Sequence, residues 1–149
     1  MKKTNQIINE LNDFIPVDDD SLETNELLLD NILNDLLENQ DSGKVIPALF
    51  NLVEKYPAAD FGAPGPIVHT LESFDGQYED YLFISLNKKP APLTVLMLNR
   101  IINALIDPIV KRKYIDLLHQ ISISKNAHEM AKTDAKEFYD YQMKMEVGS

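Results

Sequence analysis

The chain has no cysteine, few bases and no long apolar run. Without cysteine there is no disulfide framework, no thiolate nucleophile and no thiolate zinc site, and a reducing cytosol is a permitted setting. Five glycines and eight prolines among 149 residues, with 44% hydrophobic and 26% charged residues, exclude collagen and low-complexity disorder. The longest apolar stretch, Leu93 to Leu98, already holds Thr94 and ends at Asn99-Arg100. It falls far short of the roughly 20 residues of a membrane helix. Met1-Lys2-Lys3 leads into Thr4-Asn5-Gln6 rather than an apolar core, so no signal peptide is expected. A chain of this size buries about two-thirds of its unfolded surface without help from metal or disulfide. The expectation is one soluble helical domain over residues 1–147, with Gly148-Ser149 set aside as a cloning remnant.

What is present is helical periodicity. Ile7, Ile8, Leu11, Phe14 and Ile15 recur at intervals of three and four, which predicts a helix over 4–14 stopped by Pro16. Thr24 is a candidate N-cap for a second helix reaching about Asn39, with Leu28, Leu29, Ile32, Leu33, Leu36 and Leu37 inward. Val45 to Tyr56 reads as a third, with Pro47 in its first turn and Pro57 closing it. Pro66, Pro92 and Pro108 repeat that start signal, the last behind a capping Asp107. Tyr78 to Asn87 is read as helix, although its β-branched and aromatic content would also suit a short strand. The helix from Leu93 has apolar residues on a wide face, including Leu96, Met97, Ile101, Leu105 and Ile106, and is the expected core centre. Ala127 to about Met145 is expected to pack through Met130, Phe138, Tyr141 and Met145. The fold class is all-α: about eight helices in consecutive antiparallel pairs, with a short HEAT-like stack favoured over an orthogonal bundle.

Charge is distributed unevenly. Residues 1–41 carry two lysines against eleven acids, a formal charge of -9 out of -10 for the chain. Such a surface repels a phosphate backbone and steers a basic protein toward it, so direct nucleic-acid binding is disfavoured. Glu26, Asp30, Asn34 and Glu38 follow at intervals of four and form an acidic ridge if the helix is continuous. That ridge with Asp35, the loop Asp18, Asp19 and Asp20, and a second cluster of Asp75, Glu79 and Asp80 are the candidate contact residues.

Chemistry-bearing motifs are missing. No nucleophile elbow, zinc-helix pair, Walker A or dinucleotide-binding pattern is present. Gly62-Ala63-Pro64-Gly65 replaces the N–H donors of a phosphate cradle with proline. His69, His119 and His128 have no second ligand at metal spacing, and the His69–Glu72 pair is one half of a di-iron motif at most. No catalytic residue, metal site or cofactor is therefore assigned. Arg100, between Asn99 and Asn103, is read as a structural cation for Asp60 or Glu72.

The run Ala59-Asp60-Phe61-Gly62-Ala63-Pro64-Gly65-Pro66-Ile67-Val68-His69, then Ser85-Leu86, then Pro90-x-Pro92-Leu93-x5-Asn99-Arg100-Ile101-Ile102-Asn103, resembles a group of small bacterial immunity proteins. These are encoded with polymorphic toxins, including toxins of contact-dependent growth inhibition. The resemblance covers about residues 57–120. It implies a cytoplasmic, non-enzymatic helical protein that binds one cognate toxin domain and blocks its active site or substrate access. It also implies that Gly62, Pro64, Gly65, Pro66, His69, Asn99 and Arg100 are scaffold, and it transfers no toxin-contacting residue. Basic nucleases are common among such toxins, which agrees with the acidic N-terminal quarter. The alternatives are a helical adaptor holding a protein or peptide in an apolar groove, and an enzyme built on His69 with nearby acids.

Overall fold

A computed structural model describes residues 1–18 and 20–147, with Val147 described through its backbone alone. Asp19 and the Gly148-Ser149 pair lie outside the described residues. Among those described there are eight α-helices, two short 3-10 turns and no strand. The helices are α1 (Thr4–Asn12), α2 (Asn25–Leu33), α3 (Ile46–Lys55), α4 (Gly65–Glu72), α5 (Tyr78–Lys88), α6 (Pro92–Ala104), α7 (Pro108–Ser122) and α8 (Glu129–Val147). The all-α expectation holds, and the Tyr78 segment is helix. Internal contacts gather the chain into two compact units, Met1–Phe83 and the residues from Ile84 onward.

In the first unit α1 packs on α3 and α2, and α2 packs on α4. Ile7 and Leu11 of α1, Leu29 and Leu33 of α2, Leu49 and Val53 of α3, and Ile67 and Leu71 of α4 are all buried. Each pair is three or four residues apart, so every helix contributes one stripe to this core. Phe14 follows α1 into it and meets the Phe61 ring at 6.5 Å.

Two expectations fail here. α1 ends at Asn12, before Pro16, and Ile15 lies on the surface. More consequentially, α2 stops at Leu33 and does not reach Asn39; a 3-10 turn, Leu36–Glu38, follows. Asn39 Nδ2 donates to the Asp35 carbonyl at 3.3 Å and the Leu36 carbonyl at 3.4 Å, local bonds that compete with a continued helix, and long-range bonds to Lys2 hold the same residues. Asp35 accepts the backbone N–H of Lys2 at 3.0 Å, and Asn39 Nδ2 donates to the Lys2 carbonyl at 3.0 Å. Thr4 Oγ1 then donates to Asp41 at 2.6 Å, so the start of α1 is laced to residues 35–41. Leu36 is buried by this arrangement, whereas Leu37, expected inward, is exposed, as is Leu27.

In the second unit α7 and α8 run side by side and α6 contacts both. Val95, Met97, Leu98 and Ile102 fill the α6 side, and Ile115, Leu118 and Ile121 the α7 side. Leu105 and Ile106 lie beyond the end of α6, with Ile106 fully on the surface. α8 turns inward Ala131, Ala135 and Gln142, while Met130, Tyr141 and Met145 face out and Phe138 is half-buried. Small residues let neighbouring helix axes approach, which is why the alanines rather than the larger side chains occupy the contact. Gln142 Nε2 donates to Asn99 Oδ1 at 2.9 Å and Asn103 Oδ1 at 2.7 Å, tying α8 to α6 through a buried polar contact.

Candidate functional site

The division of the chain redraws the charge map. Residues 1–83 hold four bases and 17 acids, a formal charge of -13, and residues 84–149 hold ten bases and seven acids, +3. The acidic region is thus the whole first unit rather than its first half.

The Gly-Pro loop and α2 build the site together. Pro66 lies in the first turn of α4, where a missing N–H costs nothing. Ahead of it Gly62 and Gly65 adopt φ of +92° and +75°, and the Ala63–Pro64 peptide is cis. Asp60 Oδ1 accepts the Gly62 N–H at 3.0 Å, which closes the turn. Asn25, at the first position of α2, is buried and accepts the Val17 N–H at 2.7 Å. Its Nδ2 donates to the carbonyls of Val17 at 3.3 Å and Asp60 at 3.0 Å. This one side chain therefore fixes the loop before α2 and the loop before α4 against each other. Sequence reading missed it, because its partners lie 8 and 35 residues away.

Two adjoining clefts result, with Glu26 in both. One, of about 250 Å³, is lined by Val17, Asp18, Ser21, Thr24, Asn25, Glu26 and Asp60. The other, of about 460 Å³, runs between α2 and α4 and is lined by Glu26, Asp30, Ala63, Pro64, Gly65, Pro66, His69 and Thr70. Glu26, Asp30 and His69 are exposed. Among the described residues no ion pair is formed by Glu26 or Asp30.

The structure thus brings Asp18, Glu26 and Asp30 together with the predicted scaffold residues Gly62, Pro64, Gly65, Pro66 and His69 along one surface of the unit. The single acidic ridge does not exist as expected, since Asp35 and Glu38 lie beyond the end of α2. Asp35 is half-buried and holds Lys2, a structural task. Glu38 and Asp20 are exposed outside both clefts, as are Asp75 and Asp80. Glu79 accepts the Gly76 N–H at 2.9 Å and so caps the turn into α5. Asn99 is buried beneath Gln142, and Arg100 is half-buried on α6. Among the described residues no group of three or more His, Asp or Glu side chains is arranged to hold a metal ion, and no helix is long and apolar enough to cross a membrane. No protein-family model, curated protein or solved structure matches the chain.

Proposed function

We propose that this chain is a cytoplasmic immunity protein that binds and neutralises a cognate toxin domain, a basic nuclease domain, through the acidic surface of residues 1–83. The concentration of -13 in that unit, with Glu26 and Asp30 exposed along a cleft, is the observation that carries the reading. A field of that sign draws in a basic surface and sets the register of docking. Carboxylates on such a surface pair with the lysines and arginines that would otherwise hold a nucleic-acid backbone. The cleft's acids are exposed rather than desolvated, which suits a protein contact better than proton transfer to a small substrate.

The test is survival of a host expressing the C-terminal domain encoded immediately upstream, with and without this chain. Killing that only this chain prevents supports the proposal; no toxicity, or toxicity it leaves untouched, defeats it. The charge reading has its own check in the double variant Glu26→Lys/Asp30→Lys. At low salt its association with that domain should slow about tenfold or more, and the salt dependence should flatten. Unchanged rates would remove these two carboxylates from the mechanism. Asp35 is unsuited to this test, because reversing it would also release Lys2.

A further inference from the structure

Close in sequence to residues that line the acidic clefts are apolar side chains that folding leaves outside. Leu22 is 104% exposed, Ile15 74% and Leu27 48%. Single exposed leucines are ordinary. These three, however, belong to one short stretch of chain whose ends are pinned. The bonds from Asn25 to Val17 close the loop containing Leu22. Ile15 stands two residues before that closure and Leu27 two residues after it. Consecutive residues span at most about 3.5 Å each, so all three fall within the footprint of one standard interface, roughly 800 Å² per partner.

On α2, successive residues turn by about 100°, and the buried Asn25, Leu29 and Leu33 mark the inward side. Leu27 therefore lies near the middle of the outward side, with Asp30 one turn further along and Glu26 beside it. Asp18, Asp20 and Glu23 are exposed on the loop that carries Leu22, and no base occurs between Lys3 and Lys44. Apolar residues surrounded by carboxylates have the anatomy of an interface, with an apolar centre and a polar rim.

We infer that Leu22 and Leu27, with Ile15, are the apolar anchor of the toxin contact, and that their occupant is a basic protein surface presenting an apolar side chain among its lysines and arginines. Charge complementarity selects that occupant: an acidic partner would be repelled by the rim before the leucines could be covered, and a neutral one would gain none of the attraction that the rim offers a basic one. This deepens the proposed function and rests on it. The roles divide accordingly. Carboxylates set the rate of arrival and its salt dependence, and the leucines set the rate of departure.

The probe is the C-terminal domain encoded immediately upstream, in catalytically inactive form, with association and dissociation followed at two salt concentrations. Leu22→Ser and Leu27→Ser should each raise the dissociation rate about tenfold, as anchor residues do. Association rate, salt slope and melting temperature should stay as in the parent protein. Dissociation unchanged in both variants, while the parent still binds, overturns the anchor and leaves the charge reading standing. Failure of the parent protein to bind overturns both. Self-association of this chain that Leu22→Ser abolishes would assign the patch to a second copy and overturn the inference as well.

Discussion

Replacing Gly62 by alanine tests whether the loop and α2 are fitted to each other. The substitution has two costs. Its φ of +92° is one that L residues rarely adopt, and a left-handed backbone costs about 1–2 kcal/mol outside glycine. A Cβ at this position would also stand 2.8 Å from Gly65 Cα and 2.8 Å from Glu26 Cδ. Glu26 can swing away, but the Gly65 backbone opens α4 and cannot move without disturbing the helix. Forced overpacking of this kind adds about 1–3 kcal/mol. The sum is about 2–5 kcal/mol, a fall of roughly 5–20 °C in melting temperature for a chain of this size. Gly65→Ala is the internal control: its φ is +75° but nothing lies within 4 Å of the added atom, so only the backbone cost applies. Urea unfolding followed by far-UV circular dichroism compares the two. Adding Glu26→Ala to Gly62→Ala should recover only part of the loss, since the Gly65 contact persists. A Gly62→Ala protein within about 1 kcal/mol of the parent, or no less stable than Gly65→Ala, would refute the reasoning.

Two further predictions concern the polar ties of the acidic unit. Asn25→Ala removes three hydrogen bonds and strands the Val17 and Asp60 groups that Asn25 satisfies, so stability in urea should fall by about 2–3 kcal/mol; a loss under 0.5 kcal/mol would show that the loops are held some other way. Thr4→Val removes the hydroxyl that, as the largest influence, holds the Asp41 carboxyl below its ordinary value of 3.8, with Lys44 assisting. A depressed carboxyl stabilises the fold above its unfolded value and loses that contribution as pH falls through the folded one. The Thr4→Val deficit should thus be constant near neutrality and shrink below about pH 4 as Asp41 protonates; a deficit of the same size at pH 7 and pH 2.5 would contradict it.

The parts of the fold legible in the sequence were those set locally. Pro47, Pro66, Pro92 and Pro108 each stand in the first turn of a helix, as a residue that lacks an N–H and has a fixed φ should. Thr24 and Asp107 cap as expected, accepting from Leu27 and Ile109. The failures are non-local. The end of α2 depends on Lys2, which lies 33 residues from Asp35 in sequence. In α8 the inward stripe Ala131, Ala135, Phe138 and Gln142 recurs at four, three and four, but apart from Phe138 its members are small or polar and stand out less in the sequence than Met130, Tyr141 and Met145. The candidate site divides in the same way. Its charge was legible from composition, whereas the meeting of Glu26 and Asp30 with the Gly-Pro loop depends on Asn25, a polar residue whose burial no periodicity reveals.

The acids of the first unit separate by what they do for the fold, and that separation bears on function. Asp35 holds Lys2, Asp41 holds Thr4, Glu10 pairs with Lys2 at 3.1 Å, Asp60 closes the Gly62 turn and Glu79 caps the turn before α5. Each of these carboxylates exchanges water for a donor within the unit. Asp18, Asp20, Glu23, Glu26, Asp30 and Glu38 are exposed, and among the described residues no ion pair engages them. Their mutual repulsion works against the compact state and is largest at low salt. Solubility asks for net charge, but not for its concentration in one unit while the other carries +3. A basic partner converts that repulsion into attraction on binding, so the complex should gain stability most at low salt, where the free protein is most strained. Melting the free chain across a salt series tests the premise directly: added salt should raise the melting temperature of the parent protein, and raise it less for Glu26→Lys/Asp30→Lys. A melting temperature indifferent to salt in both proteins would mean that the surface carboxylates are too well solvated to interact, and the electrostatic case for a basic partner would lose its energetic basis.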